Sequence, residues 1–256
     1  RGVGCIRSTV ECIVCQDSLE CLWHLLEPNK LEENESNVAH RWTKLTRLSC
    51  IYNDVQEMDA SLRLVPNVTV LDFSRNRILV AEHLSDFPNL TALDLSFNRL
   101  TDLGEIPMSR SLRKLFLQSN GIHKLDGIGN LEHLEELDLR WNVISALSEV
   151  AKLKTLPSLR LVSLAGNPIN ASHHYRLHVL ACLLEFRRDV TLDAKPTSDV
   201  ERRKAKRLIV AHDGSVEVNP SESSVVQSPS TVWDILSPFC RPFRRRRDPS
   251  STSESS

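Results

Sequence analysis

The sequence predicts an α/β solenoid: a curved parallel sheet with a short helical or irregular convex side, capped at both ends and followed by a disordered carboxy-terminal tail. Three observations predict it. A pattern, L-x-x-L-x-L-x-x-N-x-L with Val, Ile, Phe or Cys standing in for some leucines, occurs six times between Leu45 and Ile169. Successive copies start 23, 22, 22, 22 and 25 residues apart. Every copy keeps its asparagine, at Asn53, Asn76, Asn98, Asn120, Asn142 and Asn167.

The copies read LTRLSCIYNDV, VTVLDFSRNRI, LTALDLSFNRL, LRKLFLQSNGI, LEELDLRWNVI and LRLVSLAGNPI. Pattern and period are those of leucine-rich repeats. Positions four and six lie two apart on a strand, so both point inward, as does position one. One unit cannot bury that face alone, and neighbours must stack to share a core. The asparagine is expected to bridge the backbones of adjacent turns, which assigns it structure and no chemistry.

Upstream, VECIVCQDSLE fits a degenerate first unit, with Val10, Ile13 and Cys15 inward and Ser18 at the asparagine site. LECLWHLLE (19–27) has apolar residues at helical spacing. With the polar loop 28–41 these form an amino-terminal cap over 1–44, ahead of six repeats at 45–169. Cys12-x-x-Cys15, with Cys21 and His24 nearby, has the look of a metal site. Its second ligand pair lacks the usual spacing and Cys15 is inward, so these cysteines are read as small buried hydrophobes. No metal and no cofactor are expected.

Downstream, His173–Leu184 predicts a helix and Val190–Asp193 a last strand, together a carboxy-terminal cap over 170–195. His173, His174 and His178 have no acidic partner at fitting spacing and read as solvated or capping histidines. Over 196–256 a basic helix (199–212) gives way to a Ser/Pro-rich tail without periodicity. Within the tail, TVWDILSPF offers Trp233 for docking. Cys240 with Arg244, Arg245, Arg246 and Arg247 offers a basic run that could meet anionic lipid, though solvation is the default reading.

The 256 residues carry a net charge of −1, which argues against nucleic acid as a partner. No apolar run is long enough to span a membrane, and peripheral contact through the tail would be weak. Seven cysteines, with only Cys182 in the carboxy-terminal cap, point to a reducing compartment, the cytoplasm. No phosphate-cradling glycine loop, G-x-S-x-G or H-E-x-x-H occurs, so no catalytic residue is assigned and an enzyme is not expected.

Function is expected on the concave face. Position five carries Asp72, Asp94, Phe116 and Asp138; position seven carries Arg140; position eight carries Tyr52, Phe97 and Trp141. The aspartates read as a solvated column supplying charge. The aromatics and Arg140 read as anchors for a protein partner, because Trp, Tyr and Arg dominate binding hot spots. The competing reading folds Phe97 and Trp141 over the turn as packing between repeats. A monomer is expected.

WTKLTRLSCIYNDVQEMDASLRLVPNVTVLDFSRNRI (42–78) resembles the serine/threonine kinase 11 interacting protein family, where a tryptophan and a first repeat precede an M/L-D-x-S-L-x-L-L-like stretch. STVECIVCQDSLECLWHLL is similar to that family's lead-in, and AGNPINASHHYRLHVLACL to a cap shared with nischarin. The resemblance covers about residues 5–195. It implies a cytoplasmic, non-catalytic adaptor for a serine/threonine kinase whose location it influences. The shorter units also resemble dynein light chains and phosphatase regulators, which leaves a structural subunit of a cytoskeletal or ciliary assembly, or a nischarin-type membrane-associated adaptor, as alternatives.

Overall fold

The computed structural model describes residues 12–14, 42–58, 60–81, 84, 87–103, 110–184 and 189–213. The chain divides into two compact units, Arg1–Val216 and Glu217–Ser256, and every described residue lies in the first. The first-unit helix expected at 19–27, the amino-terminal cysteines read as small buried hydrophobes and His24 (beyond the backbone of Cys12), and the tail lie outside the described residues.

Nine short strands form one open sheet in sequence order. They are β1 (Cys12–Val14), β2 (Arg47–Ser49), β3 (Val70–Asp72), β4 (Ala92–Asp94), β5 (Lys114–Phe116), β6 (Glu136–Asp138), β7 (Leu161–Ser163), β8 (Thr191–Leu192) and β9 (Lys195–Pro196). The first eight pair in parallel and the last turns back antiparallel. Ile13 stands opposite Leu48, and Leu48, Leu71, Leu93, Leu115, Leu137, Val162 and Leu192 continue as one ladder. From Leu48 onward that ladder is fully buried, and so is the position-six column Cys50, Phe73, Leu95, Leu117, Leu139 and Leu164. These are the inward positions that the repeat pattern assigns.

Units of 22 residues have little chain to spare for a crossover helix, so the convex side is mostly irregular, with 3-10 turns such as Ala60–Leu64 and Ile128–Asn130. The longest spacing, 25 residues before Leu159, is where an α-helix fits: α1 (Leu147–Ala151).

The asparagines form the polar counterpart of the leucine ladder. Asn120 Nδ2 donates to the carbonyls of Leu95 (3.0 Å) and Leu117 (3.1 Å), while its Oδ1 accepts the Leu100 N–H at 3.0 Å. Asn76, Asn98, Asn142 and Asn167 repeat that arrangement with their own neighbours. Buried backbone groups that the sharp turn strands are thereby satisfied.

The carboxy-terminal end differs from the expectation in three places. The helix α2 runs Tyr175–Leu184, shorter than predicted, because His174 sits in the left-handed region (φ 59) and ends the preceding turn. The strand is confined to Thr191–Leu192, because Asp193 and Ala194 (φ 51 and 58) turn the chain into β9. Two successive positive φ values between antiparallel partners make a two-residue hairpin of the primed kind. Pro196, which has no N–H to donate, lies on the last strand and blunts the sheet edge. A long helix, α3 (Asp199–Asp213), then packs against α2 with Ala205 fully buried.

Alanine is costly at φ 58, by about 1 kcal/mol. Ala194→Gly is therefore expected to raise the urea midpoint, by a few tenths to about 1 kcal/mol after the extra unfolded-chain entropy of glycine. A lowered midpoint would show that the Ala194 methyl has a packing role that outweighs its strain.

Candidate functional site

The eight concave-face candidates fall into two groups. Position five is the last strand residue of each unit and position seven lies two residues on, so both overlook the sheet. Position eight sits where the chain leaves the strand, along the rim. There the backbone is left-handed in every repeat: Tyr52 (φ 57), Arg75 (60), Phe97 (59), Ser119 (55), Trp141 (56) and Gly166 (80). The N–H of each of the five before Gly166 donates to the position-seven carbonyl of the next unit, from 2.7 Å at Phe97 to 3.3 Å at Tyr52. The turn that lets the asparagine reach inward imposes this conformation, and only glycine adopts it freely.

Along the rim the side chains stack. The Arg75 guanidinium lies between the Tyr52 ring (4.7 Å to its centroid) and the Phe97 ring (4.1 Å), a two-sided cation–π contact. The Trp141 indole lies over Gly166, so closely that a Cβ there would be 2.6 Å from Cδ2. Gly166 is thus required twice, by its φ and by the indole. Phe97 is half-buried. Tyr52 and Trp141 nevertheless leave 54% and 49% of their surfaces exposed.

On the concave floor a depression of about 410 Å³ is lined by Asp94, Phe116, Glu136, Asp138, Arg140 and Leu161, among others. The expected solvated column of aspartates needs correction. Asp138 is buried, and Arg140 grips both its oxygens, Nε at 2.9 and 3.0 Å and Nη2 at 2.6 Å. Arg140 also reaches Gln118 Oε1 at 3.1 Å. Its charge is already committed within the face, and hydrogen bonding to Asp138 raises its pKa further.

Asp72 and Asp94 are half-buried, and each Oδ1 accepts the N–H two residues on, from Ser74 (3.0 Å) and Ser96 (2.8 Å). Asp138 caps the Arg140 N–H likewise at 3.0 Å. The aspartates therefore hold the bend between strand and rim. Burial pushes the Asp94 carboxyl above its ordinary pKa, and the charges of Asp72 and Asp138 add to that. In the sixth unit the bend is capped from outside: Asp193 Oδ1 accepts the N–H groups of Leu164 (2.7 Å) and Ala165 (2.9 Å). Its Oδ2 accepts the Tyr175 hydroxyl at 2.9 Å.

Position three was missing from the expected surface. Glu136 and Leu161 line the depression, Leu161 is 43% exposed, and Lys114 pairs with Glu136 at 3.0 Å on the neighbouring strand. The signal was available, since position three precedes position five by two residues on the same strand face. Ala194, which also lines the depression, belongs to the hairpin and has no repeat signal.

Trp233, Cys240, Arg244, Arg245, Arg246 and Arg247 lie outside the described residues. Among the described residues no His, Cys, Asp and Glu side chains gather into a metal-holding group, and no helix is long and apolar enough to cross a membrane. Cys50 is buried at an inward position and Cys182 is half-buried, and neither forms a disulfide among the described residues.

A stacked parallel sheet, an asparagine ladder and an open concave face define the chain as a solenoid repeat protein. The family model for leucine-rich repeat matches residues 71–219, more than half of the sequence, and the chain belongs to that family. Its fold is similar to that of a chain in the Drosophila melanogaster SNF/U2A′ complex (TM-score 0.51, 23% identity, 57% of this chain and 87% of that one). It is also similar to internalin C2 of Listeria monocytogenes (TM-score 0.47, 28% identity, 59% and 62%). Leucine-rich repeats are typically protein-interaction modules and generally non-catalytic.

Proposed function

We propose that this chain is a non-catalytic scaffold that holds a protein partner across its concave floor and rim. We further propose that the partner is a serine/threonine kinase and the setting cytoplasmic, as the resemblance of residues 42–78 to the serine/threonine kinase 11 interacting proteins implies. One observation carries the reading. Five successive repeats place Tyr, Arg, Phe, Ser and Trp in a left-handed backbone where glycine, as at Gly166, would relieve about 1 kcal/mol each. Strain kept at consecutive units, with large aromatic surface left open, fits a recognition surface better than a packing need. Tyr52, Phe97 and Trp141 anchor the rim, Phe116 the floor, and Asp72 and Asp94 supply charge. Arg140 and Asp138 shape the floor as a pair.

The test exploits the strain. Trp141→Gly relieves the backbone while removing the indole, so its stability should stay within about 1 kcal/mol of wild type. Its affinity for a partner kinase, measured by calorimetry with the purified kinase 11, should fall by about 2 kcal/mol or more. Unchanged affinity with lowered stability would make the indole mere packing. No binding by the wild type would remove the kinase assignment.

A further inference from the structure

Outside the concave face, the outer side of α3 carries a cluster of basic residues. Arg203, Lys204, Lys206 and Arg207 are all exposed there, and none has an ion-pair or hydrogen-bond partner among the described residues. The inner side of the same helix is neutralised instead: Glu201 receives Arg176 at 2.7 Å and Arg202 reaches Asp189 at 3.0 Å. Arg203 and Arg207 are one helical turn apart, a like-charge spacing that disfavours the helix, with the exposed Asp199 one turn before Arg203 as the acid on that side. Val200 (55% exposed) and Leu208 (38%) add apolar surface to the same outer side. Since the whole chain has a net charge of −1, this cationic face is a local construction.

We propose that the outer face of α3 is a contact for an anionic lipid surface. The four cations meet headgroup phosphates and carboxylates, and Val200 and Leu208 rest at the boundary with the acyl chains. A bilayer fits better than single-stranded nucleic acid, which favours aromatic side chains for its bases to stack on; the described outer face has aliphatic ones. It also fits the rest of the sequence. A second basic run, Arg244–Arg247, follows on the same chain with Trp233 and Phe239 before it, and stable membrane anchoring generally takes two signals where one alone binds only marginally. The contact is separate from the concave floor and does not depend on the partner proposed for it.

The full chain should be tested by flotation with vesicles of phosphatidylcholine containing phosphatidylserine, an anionic lipid of the cytoplasmic leaflet, and with phosphatidylcholine alone. Each basic residue near such a surface strengthens binding about fivefold. Reversing all four charges (R203E, K204E, K206E, R207E) should therefore weaken binding by about two orders of magnitude or more. Because reversal could disturb the helix, Lys204→Gln with Arg207→Gln is measured beside it, checked by circular dichroism, and should lose about twentyfold. Binding of the wild type should require phosphatidylserine and fall with salt. The proposal is overturned if the wild type ignores the anionic vesicles, or if the folded helix variants bind like wild type. It is also overturned if a single-stranded oligonucleotide binds through these residues while vesicles do not.

Discussion

Asn120→Leu is expected to destabilise the chain by about 4 kcal/mol, because it strands three buried backbone groups at once. Asn120 is fully buried at the middle of the array, and its amide serves the Leu95 and Leu117 carbonyls while its oxygen serves the Leu100 N–H. Leucine fills similar space and answers none of them. In a solenoid each unit is held by its neighbours, so a central defect weakens two interfaces together. Urea unfolding measures it, and a loss under about 1 kcal/mol would mean the carbonyls find water or relax. Asn120→Asp separates polarity from volume. Its ionised carboxylate would face two carbonyl oxygens, so its deficit should shrink in acid, where a protonated oxygen can donate again.

The same residue explains why so much of this fold was legible. A solenoid repeats its physics, and each inward position shows the same residue types at one spacing. The strand register, the core columns and the asparagine bridges all follow from those spacings. The rim is different. Left-handed backbone is normally announced by Gly or Asn, and at position eight only Gly166 gives that sign, while Tyr52, Arg75, Phe97 and Trp141 argue against it. The Arg140–Asp138 pair was also hidden, since positions five and seven carry several residue types and only the fifth unit joins acid to arginine. Past the repeats the pattern offers no guide. The hairpin at Asp193–Ala194 has no glycine, and Pro196 argues against a strand until one sees that it is the last strand of the sheet. One local sign was available there: Ser198-x-x-Glu201 is a capping-box pattern. The structure forms it, with Glu201 Oε2 accepting the Ser198 N–H at 3.0 Å and the Glu201 N–H reaching Ser198 Oγ at 3.3 Å.

Glu201 leads to the second large effect, expected for Arg176→Met. The Arg176 guanidinium joins four pieces of the cap: Nε to Glu201 Oε1 (2.7 Å), Nη1 to the Leu192 carbonyl (2.8 Å), and Nη2 to the carbonyls of Lys195 (3.0 Å) and Pro196 (3.2 Å). It thereby ties α2 to the hairpin and to α3. Methionine keeps much of the stem and removes every donor, so a loss of about 3 kcal/mol is expected at neutral pH. That loss should depend on pH. The Arg176 hydrogen bond, helped by Ser198, holds the Glu201 carboxyl at about 2, below its ordinary 4.5. A depressed carboxyl pKa contributes stability that is present above the unfolded value and is lost as pH falls through the folded one. Between pH 4.5 and about 2 the wild type should therefore lose this contribution while the variant, lacking the arginine, has less of it to lose. The gap between their unfolding midpoints should narrow across that window and keep a remainder from the three carbonyl bonds. A gap that stays constant from neutral pH into acid would show that the guanidinium stabilises the cap through the carbonyls alone, with Glu201 serving only its own helix.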